Sequence, residues 1–261
     1  MELESNIYQQ IKKREMEKAR TVFKVAGVLI FLFSYGNYSG NTLQAQTKIT
    51  KTTKSAQTKP KSTTKSSTTE PVKKKDPGTV TIGTQTWAAA NLNVSTFRNG
   101  DSIPEARNSE EWVKAGESGK PAWCYYNNDP ANGAKYGKLY NWYAVNDPRE
   151  LAPVGWTLSS DADWSQLVNY SGGQKVAGTK LKSISGWSEN NGTNEAGFTG
   201  LPGGYRVENG TFLKQGSIGT WWSSTESNSR SAIDHYLAQS GSLGRSISPK
   251  QRGESVRCIK K

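Results

Sequence analysis

Apolar and polar positions fall into three regimes along this chain. The first holds one continuous apolar run, Val25-Ala-Gly-Val-Leu-Ile-Phe-Leu-Phe33, behind a charged lead with Lys12, Lys13, Arg14, Lys18 and Arg20. The second is a Thr/Ser/Lys stretch with almost no apolar position. The third begins near Asp76 and mixes short period-2 stretches with short helical stripes, punctuated by Gly and Asn.

That third regime predicts discrete elements. Val80-Thr-Ile82 and Gln85-Thr-Trp87 flank Gly83-Thr84, a hairpin with Gly first in a two-residue turn. A short helix is expected over 109–115. Leu139, Trp142 and Tyr143 lie at i, i+3, i+4, one helical face. A clearer helix starts after Ser160. Ser160-Asp-Ala-Asp163 is a near capping box, Trp164, Leu167 and Val168 form the stripe, and Gly172-Gly173 ends it. Another turn of helix is expected over 179–183. Tyr205–Glu208, Asn209-Gly210 and Thr211–Leu213 predict a type I′ hairpin. Strands follow at 221–225 and 231–238. The last stretch, Glu254–Ile259, places Val256 and Cys258 on one face. Helices in the first half and strands in the second give an α+β class.

The apolar run is too short for a comfortable membrane span. With its basic flank and Leu43-Gln-Ala45-Gln46 behind it, residues 1–45 read as a secretory signal cleaved after Ala45. A start at Met16 gives it ordinary proportions. The alternative is an anchor that stays in the membrane. After cleavage no span is expected, and the product belongs to the periplasm, the cell surface or the medium.

Charge separates the remaining two regimes. The formal net charge is +12, but residues 1–75 hold 15 Lys/Arg against 5 Asp/Glu, and the rest holds 19 against 17. A nucleic-acid groove needs Lys and Arg clustered on the fold itself, so nucleic acid is not an expected partner. Residues 46–78 read as a basic, disordered linker. Residues 79–261 form the folded domain. All nine Trp lie between Trp87 and Trp222, which predicts an aromatic core.

Catalytic signals are sparse. There is one His, His235, in Ile233-Asp-His-Tyr-Leu237, and a strand His beside an Asp can act as a general base. No CxxC, HExxH or Gly-x-Ser-x-Gly pattern is present, and Gly203-Gly204 reads as a turn and not as a phosphate loop. The chain is not expected to be an enzyme.

A set of ordered motifs resembles a known family. It comprises Ile82-Gly-Thr-Gln-Thr-Trp87, Asn91-Leu92-Asn93, Tyr136-Gly-Lys-Leu-Tyr-Asn-Trp-Tyr143, Gly155-Trp156 and Asp161-Ala-Asp-Trp164. It continues with Gly178-Thr-Lys-Leu-Lys182, Gly197-Phe198, Leu201-Pro-Gly-Gly-Tyr-Arg206, Trp221-Trp-Ser-Ser-Thr225 and Ser255-Val-Arg-Cys258. Together they resemble the Fibrobacter succinogenes major paralogous domain, over roughly residues 79–261. The resemblance implies a secreted or surface protein of the Bacteroidetes–Fibrobacter type and a fold similar to C-type lectin-like domains. It implies paired terminal strands, with Val80–Ile82 near Val256–Ile259. The chain departs from the family at Thr157-Leu158-Ser159, where His and Pro are common, and at Ala152-Pro153, where a Cys often precedes the Pro. The usual disulfide to the final Cys is therefore in doubt, and Cys124 with Cys258 is the remaining candidate pair.

The expected function is that of a non-enzymatic lectin-like module that binds glycan or cell-envelope polymer. The alternative is a structural module that contacts envelope proteins, and a more remote one is an oxidase-like enzyme of the same fold. Rings that stack on sugars, beside amides and carboxylates that take hydroxyls, point to Tyr125, Tyr126, Trp222, Glu226, Asn228 and Asp234 as ligand-binding residues. No resident cofactor is expected. Calcium is compatible with the hard oxygens of Asn127, Asn128, Asp129, Glu226, Asn228 and Asp234.

Overall fold

The computed structural model describes residues 78–260. The expected signal segment lies outside these residues, as does the expected linker apart from Gly78. No helix among the described residues is long and apolar enough to cross a membrane. The architecture is mixed α and β, as the pattern predicts. Strands β1 (Thr79–Ile82), β2 (Gln85–Ala88), β11 (Cys258–Ile259) and β5 (Thr157–Leu158) form one sheet in the order β1-β2-β11-β5. Strands β8 (Gly219–Asn228), β9 (Ser231–Leu237) and β10 (Leu243–Pro249) form a second, in the order β10-β9-β8. Two small pairs complete the β structure: β3 (Trp123–Cys124) with β4 (Leu139–Tyr140), and β6 (Tyr205–Arg206) with β7 (Phe212–Leu213).

The opening hairpin forms as the sequence predicts. Ile82 pairs with Gln85 across Gly83-Thr84, and Gly83 takes the positive φ (+60°) that a two-residue turn needs at its first position. The last strand joins this sheet, but on β2 and not on β1: Ile259 pairs with Trp87. β2 therefore sits between the first and last strands, and the expected neighbourhood of Val80–Ile82 and Val256–Ile259 spans one intervening strand.

Among the described residues, five α-helices connect the sheets. α1 (Ser109–Glu117) is capped by Asn108, whose side chain accepts from the Glu111 amide. α2 (Ala131–Tyr136) and α3 (Trp142–Val145) are short. The expected helical face through Leu139 is not made. Leu139 belongs to β4, and the helix starts only at Trp142 because the Asn141 side chain caps it. α4 (Asp161–Tyr170) has the predicted capping box: Ser160 accepts from the Asp163 amide, and Asp163 accepts from the Ser160 amide. α5 (Gln174–Leu181) begins well before the expected 179. The β6–β7 turn also differs from expectation. Glu208 and Asn209 are its central residues, with Gly210 at φ +87° behind them, so the hairpin closes through a three-residue loop, not a type I′ turn.

The core follows from strand alternation. Trp221 and Trp222 are neighbours on β8, so their side chains leave opposite faces of the second sheet. Trp221 enters a cluster with Trp87, Trp164, Leu167, Leu181 and Phe198 under α4 and α5. Trp222 enters another with Tyr140, Trp142, Val256 and Cys258. A third cluster gathers Trp112, Cys124, Tyr126 and Leu139. The rings of Trp87, Trp164, Phe198 and Trp221 lie 5.1–6.0 Å apart in tilted and edge-on contacts.

The rings have a second use: they hold buried cations. Lys138 Nζ lies 4.1 Å from the Trp123 ring centroid, Lys250 Nζ 4.7 Å from Trp142 and Lys182 Nζ 5.2 Å from Trp187. The Arg206 guanidinium is placed between Trp112 and Phe212, and that of Arg257 over Phe198. All five cations are buried. Lys182 meets only backbone carbonyls, donating to Asn190 O (2.6 Å) and Ala238 O (3.1 Å). Lys250 also pairs with Glu226, but for the other four, ring faces and uncharged oxygens take the place of a carboxylate.

Candidate functional site

The residues expected to bind ligand do not converge. Trp222 is 1 % exposed, and its Nε1 donates to Tyr140 O, so it is core. The other eight tryptophans are buried as well, as the expected aromatic core requires. Tyr126 is buried and packs on Phe212. Tyr125 is half-buried, edge-on to Trp123, and its hydroxyl accepts from Lys138 Nζ at 2.9 Å. Glu226 is exposed and pairs with Lys250. Asn228 Oδ1 accepts from the amides of Arg230 and Ser231 and so shapes the β8–β9 turn. Asp234 is 2 % exposed and cannot share a surface with them. Of the expected calcium ligands, Asp129 Oδ1 accepts from the Ala131 amide, Glu226 pairs with Lys250, Asn228 Oδ1 is taken by two amides and Asp234 is buried. Cys124 and Cys258 are free thiols, not a bridge. They lie in different core clusters, and burial pushes both thiols up to about 12.

His235 does have an acidic partner, but not its sequence neighbour. Alternation along β9 sends Asp234 and His235 to opposite faces. His235 faces α4, where Asp161 sits at the first helical position. Its Nε2 donates to Asp161 Oδ1 at 3.0 Å, which leaves Nδ1 as the acceptor of a neutral ring. Arg245 lies directly across from His235 on β10. It grips the same carboxylate with two donors, Nε to Oδ1 (2.9 Å) and Nη2 to Oδ2 (3.1 Å). Trp164 stacks on the imidazole, with centroids 5.0 Å apart and planes within 15°.

Charge follows geometry. Burial pulls the His235 imidazole down to about 4, against the opposing pull of Asp161. Burial alone would raise the Asp161 carboxyl, but Arg245 and then His235 hold it below the usual carboxylate range. The site at neutral pH is therefore a neutral imidazole beside an Arg–carboxylate pair at a helix N-terminus.

Beside this trio lies a pocket of about 270 Å3, lined by Ser165, Val168, Asn169, Gln174, His235, Leu243 and Arg245. Val168 and Leu243 form an apolar wall. Two amides, a hydroxyl and a guanidinium supply hydrogen-bonding groups. Arg245 is half-exposed, and its Nη1 is not engaged by Asp161. The Ser165 hydroxyl donates to Asp161 O at 2.9 Å, so it is turned into its own helix and away from a nucleophile's position beside His235. This arrangement fits binding of a polar molecule better than acyl transfer. Sequence reasoning reached His235 but not Gln174, Leu243 or Arg245. A signal was present in the run Leu243-Gly-Arg-Ser-Ile247, whose alternate residues share one strand face.

The Fibrobacter succinogenes major domain matches residues 80–260, and the chain belongs to that family. Comparison with curated proteins and with solved structures gave no match.

Proposed function

We propose that this protein is a non-enzymatic, exported binding module with a C-type lectin-like fold, and that its ligand is a glycan or cell-envelope polymer. The observation that carries the reading is the pocket between α4, α5 and the β9–β10 pair. Its volume, about 270 Å3, lies just below the roughly 300–1,000 Å3 of drug-sized sites and suits a single sugar-sized unit. Amides, a hydroxyl and a guanidinium face an apolar wall, the mixture that a sugar's hydroxyls and its carbon face require. The lectin-like fold is supported by the first hairpin and last strand sharing one sheet. Export is supported by the basic lead, the nine-residue apolar run and Leu43-Gln-Ala45-Gln46. No cofactor takes part.

The test is binding of the full chain to an array of glycans and envelope polysaccharides, with free sugar as competitor. Arg245→Ala and Gln174→Ala each weaken sugar-competable binding by about tenfold, the loss of one or two hydrogen bonds. Binding that survives both substitutions would remove the pocket from the argument. Silence across the array would favour a module that contacts envelope proteins.

A further inference from the structure

The pocket beside His235 is lopsided in charge. Among the described residues no carboxylate lines it, and Arg245 is its charged wall group. Asp161 holds Arg245 in place without being part of that wall. His235 stays neutral at pH 7, because burial pulls its imidazole down to about 4.

Arg245 is only partly used. A guanidinium carries five N–H donors. Asp161 takes Nε and Nη2, and Nη1 has no hydrogen-bond partner among the described residues. Nη1 therefore keeps two N–H groups on a half-exposed side chain in the pocket wall. The two-point grip of Asp161 fixes the guanidinium plane before any ligand arrives, so little side-chain freedom remains to be lost on binding. Such a donor discriminates, since its hydrogen bond to an anion is stronger than its bond to a hydroxyl.

Two further features carry the same sign. Helix α5 begins at Gln174, a lining residue, with no side-chain cap and no acidic residue in its first turn, whereas α4 begins with Asp161 and Asp163. The start of α5 thus keeps its positive dipole end uncompensated. In the sequence, residues 46–75 ahead of the domain hold nine Lys and one Glu. A run of that kind attracts any polymer with repeated negative charges, and Arg245 is placed to read the unit.

The charge required is a single one. Arg245 and Asp161 are neutral as a pair, so the pocket offers one directed donor and no net excess for the double charge of a phosphate. Val168 and Leu243 add an apolar wall that a bare inorganic anion would leave uncovered.

We propose that the unit held in this pocket is a uronic acid, whose carboxylate accepts from Arg245 Nη1 while its ring lies against Val168 and Leu243. This rests on the glycan reading above and narrows its ligand to an anionic, uronate-bearing polymer.

The test is calorimetric titration of the full chain with trisaccharides of galacturonate, glucuronate and mannuronate, each beside its methyl ester. Triglutamate, of the same net charge, controls for attraction to the lysine run. One uronate should bind about tenfold tighter than its ester and than triglutamate. In Arg245→Gln that preference disappears. The substitution leaves Asp161 unpaired and repelling, so Arg245→Gln/Asp161→Asn is measured too, and the preference stays absent there. Should either variant fail to fold, the ratios of the native chain decide alone. No uronate preferred over its ester, triglutamate bound as tightly, or a preference that persists in the double variant would each overturn the inference. Neutral glycans still bound on the array would then leave the glycan reading standing, and silence there as well would remove both.

Discussion

Arg257 and Asn91 meet at a single oxygen: both Nε (3.0 Å) and Nη2 (2.8 Å) of the guanidinium donate to Asn91 Oδ1. Trp221 Nε1 donates to the same atom at 2.8 Å. The remaining arm of Arg257 reaches Ala88 O and Phe198 O. A buried charge is thus held in the centre of the domain by an amide and two carbonyls, with no carboxylate. Asn91→Ala strands that charge and a Trp donor together. It should cost about 3–5 kcal/mol in urea unfolding at neutral pH. A loss below about 1 kcal/mol would show that the carbonyls suffice.

Gly83 is the tightest point of the opening hairpin. A Cβ there would sit 2.3 Å from the Tyr170 ring, and the residue's φ is +60°. Gly83→Ala therefore combines backbone strain with a clash, and a cost of about 2–4 kcal/mol is expected. Pairing it with Tyr170→Ala should recover the clash but not the strain, so thermal melts of the double variant fall between the two. Equal melting of the single and double variants would place the whole cost in the backbone.

His235 gives stability a defined pH dependence. In the unfolded chain its imidazole titrates near 6.5. Burial in the fold pulls it down to about 4. Its contribution is complete above pH 6.5 and is lost as pH falls toward 4, because the unfolded chain binds the proton more readily. Burial raises Glu254 and Asp234, whose linkage has the opposite sign, so the clean measurement is a difference. Between pH 6.5 and pH 4 the native chain should lose about 3 kcal/mol relative to His235→Gln. A gap that stays constant with pH would mean the imidazole is charged beside Asp161 throughout.

The two cysteines should behave as inert core residues. Native protein should show no titratable thiol at pH 8, and urea-unfolded protein should show two. Reductant should leave the melting temperature unchanged, because there is no bridge to break. A single disulfide-linked species on mapping would contradict the separation of the two core clusters.

Elements whose signals are local were legible. Ser160 and Asp163 announced α4 because a capping box is written in adjacent residues, and Gly83-Thr84 announced the first hairpin for the same reason. Gly178 hid α5. It reads as a helix breaker, yet a Cβ there would lie 2.4 Å from Ser242 O, so the glycine is present to let the β9–β10 connection approach the helix. Gly244 and Pro249 likewise left β10 without a strand signal, although an edge strand tolerates both. With β10 missing and the first part of α5, which carries Gln174, unread, the pocket could not be assembled from the sequence. Trp222 misled for a different reason. Composition counts rings but does not say that Lys138, Lys250 and Arg206 will occupy their faces from inside.

The placement of β11 also bears on how the domain responds to force. β1 and β11 both run antiparallel to β2, so the first and last strands are parallel to each other, with β2 as the shared neighbour. Tension applied between the two ends of the domain therefore acts along the strands in opposite directions. It loads the β1–β2–β11 ladder in shear, where several hydrogen bonds must give way together, and does not unzip them one at a time. A module pulled at both ends would yield last along the β1–β2–β11 ladder.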